Sequence, residues 1–118
     1  MKRYKLLLPA VALVAMFALA PAAQSANVVR GVSTSSGFRW NPKVTNVAMG
    51  AKVTWKSVNG SHTVTAYKGN WSKNTTINQG QSTSFTFNHS GVFKFRCRFH
   101  SNLSNGVCSG MCGKVVVG

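Results

Sequence analysis

The side chains able to do chemistry are few. The chain of 118 residues has three His, three Cys and four Met, and no Asp or Glu. Without carboxylates there is no acid pair for glycoside hydrolysis and no Asp to orient a Ser–His dyad. Calcium and magnesium sites also lack their usual oxygen donors. Soft and borderline metal ligands remain. Cys97 is followed three positions later by His100, and His62 lies far upstream. A strand ending at Cys97 can turn and bring His100 to the same point, with His62 arriving from another strand. Two imidazoles and a thiolate in a near-trigonal set, with a weak thioether above, suit a copper ion that transfers electrons. The thiolate and thioether favour Cu(I), and the imidazoles accept Cu(II).

The elements that would hold these groups read as strands. In Phe93-Lys94-Phe95-Arg96-Cys97-Arg98-Phe99 every second residue is apolar or Cys. Alternation therefore predicts Phe93, Phe95, Cys97 and Phe99 inward and Lys94, Arg96 and Arg98 in water. His62 shares its face with Val64 and Ala66 by the same rule. Further strands rich in Val, Thr, Phe and Trp are expected near 28–33, 43–47, 52–56, 62–67, 82–87, 92–99 and 113–117. Turn signals separate them at Met49-Gly50, Asn59-Gly60, Lys68-Gly69-Asn70, Gln79-Gly80 and Ser90-Gly91. No segment has a helical period. Short strands with regular turns predict an all-β sandwich or barrel. The course of the polar stretch 69–80 is not legible. His89, beside Ser90-Gly91, reads as a solvated turn residue, and Trp40, Trp55 and Trp71 read as packing.

Ahead of the strands, Lys2, Arg3 and Lys5 precede an apolar run and then the small residues of 20–26. That order predicts a signal peptide over 1–26, cleaved within 22–26 and best after Ala26. The run is too short, and too interrupted by Pro9 and Pro21, to span a bilayer. Export to the periplasm or extracellular space is expected, with a single domain over 27–118. Removing Lys2, Arg3 and Lys5 from the 14 basic residues leaves eleven positive charges and no negative side chain. Such a surface favours an acidic partner or an anionic polymer. Nucleic acid is not expected, because the aromatics fall at strand spacing rather than as stacking platforms. Three cysteines in an oxidising compartment leave one unpaired, and metal ligation is a reason for it. A disulfide from Cys97 to Cys108 or Cys112 is the rival pairing, and it would leave His100 unexplained.

The assembled pattern resembles the cupredoxins, the family of plastocyanin, pseudoazurin and azurin. Val53-Thr54-Trp55 leads through Asn59-Gly60-Ser61 to His62-Thr63-Val64. The late part runs from Gly91 through Cys97-Arg98-Phe99-His100 to Gly110-Met111-Cys112-Gly113 and an apolar strand. The resemblance covers the whole mature chain. It implies a Greek-key β-sandwich with one type 1 copper held by His62, Cys97, His100 and Met111. It also implies that the electron leaves through His100. One departure bears on Met111 alone: ten residues separate it from His100, where plastocyanin-like proteins have a short loop, and this insert contains Cys108. If 113–117 is a strand, Met111 shares the inward face with Gly113, Val115 and Val117. Cys112 then points away from the metal and is free to reach Cys108. We therefore expect a Cys108–Cys112 disulfide that stiffens the insert and holds Met111 over the copper, with Gly110 supplying the backbone angles of so small a ring.

Three roles compete. The leading expectation is an exported monomer that carries single electrons to and from an acidic redox partner. A copper-binding or delivery protein without a redox circuit is the second, and a metal-free basic sandwich on an anionic polymer is the third. An enzyme is the least expected, since copper oxidases and nitrite reductases need further His-rich sites and only three His exist.

Overall fold

Ala51-Lys52-Val53-Thr54-Trp55-Lys56-Ser57 alternates buried and solvent-facing residues without a break, as a strand with one face on a core must. The same logic, with Gly and Asn at the turns, gives nine strands over the residues the computed structural model describes, 27–118. They are β1 (Asn27–Thr34), β2 (Gly37–Asn41), β3 (Val44–Val47), β4 (Ala51–Ser57), β5 (His62–Tyr67), β6 (Asn74–Ile77), β7 (Ser82–Phe87), β8 (Gly91–Ser104) and β9 (Val107–Val117). The proposed signal peptide, 1–26, lies outside the described residues. Among the described residues no helix is long and apolar enough to cross a membrane.

Two sheets face each other, one in the order β2-β1-β4-β7 and the other β3-β9-β8-β5-β6. The chain crosses between them repeatedly, so that β1 pairs in parallel with β4 and β3 in parallel with β9. The result is the expected Greek-key β-sandwich. Its core is Val29, Val53, Trp55, Val64, Phe87, Phe93, Phe95 and Val115 with their neighbours. Trp55 packs edge-on against Phe95, their ring centroids 5.3 Å apart. Cys97 and Met111 belong to the same buried cluster, so the candidate site is an end of the core rather than a surface pocket.

Two strands escaped the sequence reading. β2 and β6 are short edge strands. In β6 only Ile77 is buried, so its polar Asn74-Thr75-Thr76 carries no alternation to detect. β2 half-buries Phe38 and buries Trp40 in five residues directly after a turn. A third difference matters more. The insert between His100 and Met111, expected as a loop, is a β-hairpin. Pairing of β8 with β9 resumes at Ser101↔Gly110 and continues to Ser104↔Val107. Asn105 and Gly106 close it, both at positive φ (51° and 75°). That is the conformation a two-residue turn between twisted strands requires and the one Asn-Gly favours.

The hairpin does not extend straight out of the sheet. Four extended residues span about 13 Å, yet the Cα atoms of Cys108 and Cys112 are 6.2 Å apart and a disulfide joins them. The bend centres on Gly110, at φ 93°. A Cβ there would lie 2.6 Å from the His100 carbonyl oxygen. The tip returns over the outer face of the sheet, where a Cβ on Gly106 would meet Lys68 Nζ at 2.7 Å.

Candidate metal centre

The site is made by a break in register. β8 and β9 pair regularly from Gly91↔Val117 to Arg96↔Cys112, and again from Ser101↔Gly110. Between these points β8 has four residues, Cys97, Arg98, Phe99 and His100, and β9 has only Met111. A bulge bends its strand and re-aims its side chains. Here it turns the Cys-x-x-His spacing into convergence, with Met111 the single residue facing it. It also overturns one expectation: Phe99, placed inward by alternation, is 53% exposed, because strict alternation ends at Cys97.

His62 comes from the opposite side of β8, at the start of β5, and is completely buried. Its Nε2–H donates to the Asn59 carbonyl oxygen at 2.5 Å. That bond leaves Nδ1 without a proton and aimed inward, as a metal-binding imidazole must be. Asn59 is itself held, its amide oxygen accepting from the Ser33 N–H at 3.2 Å. Burial pushes the His62 pKa down, the Asn59 hydrogen bond opposes this, and His100 adds to the lowering. The ring is thus kept neutral, the form that ligates metals.

Cys97 is the one free cysteine among the described residues and is buried. The Thr63 backbone N–H donates to its Sγ at 3.3 Å, which fixes the position of the sulfur. Thr63 is fixed in turn, its hydroxyl accepting from the Arg98 N–H at 2.8 Å. His100 is only partly buried and lies tilted on Phe38, ring centroids 4.4 Å apart. Phe38 also meets His62 edge-on at 5.0 Å. Met111 is fully buried. A Cβ on Gly31 would touch both the Met111 methyl (3.1 Å) and the His62 ring (2.8 Å), so these two side chains adjoin across the bare backbone of β1.

The donor atoms form a tight triangle. His62 Nδ1 lies 3.2 Å from His100 Nδ1 and 3.8 Å from Cys97 Sγ, and His100 Nδ1 lies 3.4 Å from that sulfur. A triangle with these sides has a point about 2.0 Å from all three corners, close to a metal–imidazole bond and slightly inside a metal–thiolate bond. The set fits one ion with two N and one S donors, the combination that suits copper. The structure therefore brings together His62, Cys97 and His100, sets Met111 beside them, and joins Cys108 to Cys112 away from them. His89 stays exposed and remote in its turn.

Sequence reasoning missed the supporting residues. Gly31 and Phe38 line the site from β1 and β2. The signal for Phe38 was the Phe-Arg-Trp alternation, while nothing in the sequence marks Gly31 as a contact. Asn59 was legible as a turn residue, not as the partner of His62.

Comparison with known proteins agrees with this geometry. Residues 26–118 match the copper binding proteins of the plastocyanin/azurin family. A proline-to-glycine variant of amicyanin in its reduced Cu(I) form at pH 4 is similar in structure, with a TM-score of 0.64 and 25% identity over 83% of this chain and 87% of that one. A purple cupredoxin from Nitrosopumilus maritimus gives a TM-score of 0.59 and 20% identity, covering 80% of this chain and 100% of that one. A copper-containing nitrite reductase from Thermus scotoductus gives a TM-score of 0.62 and 17% identity over 80% of this chain but only 22% of its own length. The last two likenesses are of fold alone. No curated protein matches the sequence. The match over all the described residues, with copper as the family's cofactor, shows that this chain is a member of the plastocyanin/azurin family of copper-binding proteins.

Proposed function

We propose that the protein is a diffusible one-electron carrier in the cell envelope, and that His62, Cys97, His100 and Met111 are the residues that would hold its one copper. The observation that carries this reading is the donor triangle. Three deprotonatable atoms face one another at 3.2–3.8 Å inside a core, an arrangement that costs desolvation and has no structural use without an ion. Bound copper supplies a Cu(II)/Cu(I) couple at this point. The chain's own residues do the rest. The Asn59 carbonyl orients His62, the Thr63 amide holds the Cys97 sulfur in place, and Gly31, Phe38 and Trp40 pack the rings so that the donors keep their places when the charge changes. Partly exposed His100, beside exposed Phe99, gives the buried site its contact with the outside.

The ligand inventory supports a non-enzymatic role: two of the three histidines are in the cluster and His89 stands apart from it, so no second site of imidazoles adjoins the first. The signal-like sequence of 1–26 supports export, and the uniformly positive charge supports an acidic partner for a monomer. A redox titration of the copper-loaded mature protein separates a carrier from a delivery protein. A carrier cycles reversibly without losing copper. Release of the metal to a competing Cu(I) chelator on each reduction would favour delivery.

A further inference from the structure

Behind the metal centre, the folded-back hairpin leaves a cleft of about 170 Å³ on the outer face of the five-stranded sheet. Its floor is a row of cross-strand neighbours: Tyr67 of β5 opposite Lys94 of β8, and Lys94 opposite Lys114 of β9. Lys43 stands at one edge, and Cys108 and Cys112 form part of the wall. Lys68 continues the row at the hairpin tip, beside Gly106.

Like charges directly opposite each other destabilise a sheet. Lys94 and Lys114 are such a pair, both half-buried, and the chain has no side-chain carboxylate to neutralise them. Elsewhere a half-buried lysine is accommodated by oxygen acceptors, as Lys73 is by the Thr83 hydroxyl at 2.8 Å and the Ser84 carbonyl at 3.1 Å. The cleft is smaller than the roughly 300 Å³ at which pockets for whole organic ligands begin. It has room for a carboxylate side chain and water. The cations run in a row rather than around one point, which matches several acidic groups on one partner better than one small anion.

We propose that this cleft receives carboxylate side chains of an acidic partner protein, its floor formed by Lys94 and Lys114 and one edge by Lys43, with Lys68 outside it at the hairpin tip. The identification of that partner as the redox partner rests on the electron-carrier reading. The placement is useful to a carrier. Arg96 and Cys112, next along the same face, are the chain neighbours of Cys97 and Met111. A partner docked here is held against the two strands that carry the thiolate and the thioether. The bent hairpin supplies the wall, so the insert that departs from the family's short loop has a use of its own.

The test titrates a hexaglutamate peptide into the reduced, copper-loaded mature protein at low ionic strength, read by amide chemical shifts. Shifts should centre on residues 43, 67, 68, 94, 108 and 112–114. The Lys94→Gln/Lys114→Gln double variant should bind about tenfold more weakly, within the usual combined worth of two partly exposed ion pairs. Lys52→Gln/Lys56→Gln removes the same charge from the outer face of the other sheet and should change binding less than about twofold. Thermal stability of the Lys94→Gln/Lys114→Gln variant should hold or rise, since an opposed like-charge pair is removed. Equal weakening in both double variants would reduce the effect to net charge and overturn the site. Tighter binding of inorganic phosphate than of the peptide would make it a small-oxoanion site and overturn protein docking. The visible spectrum and potential of the same samples report on the copper reading separately. Their failure alongside intact peptide binding would overturn the redox assignment of the partner while the acidic-partner site stands.

Discussion

Gly31→Ala tests whether the packing behind the metal centre is as tight as the structure shows. Gly31 is buried in β1 and has no positive φ, so an added methyl meets only its neighbours. Its Cβ would lie 2.8 Å from His62 Cδ2, 3.2 Å from His62 Nε2 and 3.1 Å from Met111 Cε. Carbon atoms rest at about 3.5–4.0 Å, so His62 must move by about 0.7 Å or more and the Met111 methyl by about 0.4 Å. Met111 can rotate at little cost. His62 is held by the Asn59 carbonyl at 2.5 Å and by the core. The backbone of Gly31 cannot retreat either, because its carbonyl accepts from the Val58 and Asn59 amides at 2.9 and 3.3 Å. Overpacking of this kind costs about 1–3 kcal/mol, which for a domain of this size lowers Tm by roughly 5–20 °C. Calorimetry of the metal-free variant reads that cost. EPR of its copper-loaded form reads the displaced imidazole as changed copper hyperfine and g values. An unchanged Tm together with an unchanged spectrum would refute the packing argument.

Other perturbations have defined outcomes. Replacing Cys108 and Cys112 with Ser opens a ring of very short sequence separation, so loop-closure entropy predicts a loss of about 2 kcal/mol. Hydrogen exchange should localise the loosening to residues 101–110, and uniform loosening of the whole sandwich would contradict a local role. Met111→Leu conserves volume and should cost less than about 1.5 kcal/mol; intense blue colour should persist while the potential shifts, and an unshifted potential would remove Met111 from the ligand set. For the metal-free protein, burial lowers the folded pKa of His62, so the unfolded state, near 6.5, binds the extra proton. Stability should be full above about pH 6.5 and fall as pH drops through the folded value. With no Asp or Glu, the usual carboxylate contribution below pH 5 is missing. Urea midpoints across this range should therefore show a decline that His62→Gln abolishes.

What the sequence disclosed depended on how local the determining physics was. Alternation in β4, β5 and the first half of β8 was legible because each strand buries one face. The cluster of His62, Cys97, His100 and Met111 could be seen because His, Cys and Met are chemically scarce in this chain. The bulge was not legible. It arises where four residues of β8 meet one of β9, a fact about two strands that neither contains, and so Phe99 was assigned the wrong face. The hairpin carried an Asn105-Gly106 signal, but its polar, apolar-poor flanks gave no periodicity to support it. Its fold-back depends on Gly110 and on the disulfide acting together. The Cys108–Cys112 pairing was reachable from parity because Met111 and Cys112 lie on opposite faces of β9.

The most direct test of the central claim is the visible and EPR spectrum of the copper-loaded mature protein beside its Cys97→Ser variant. One copper per chain, an intense blue band from thiolate-to-Cu(II) charge transfer, and loss of that band in Cys97→Ser are predicted. Copper bound without the intense band, or an intense band that survives in Cys97→Ser, would contradict a site built on His62, Cys97 and His100.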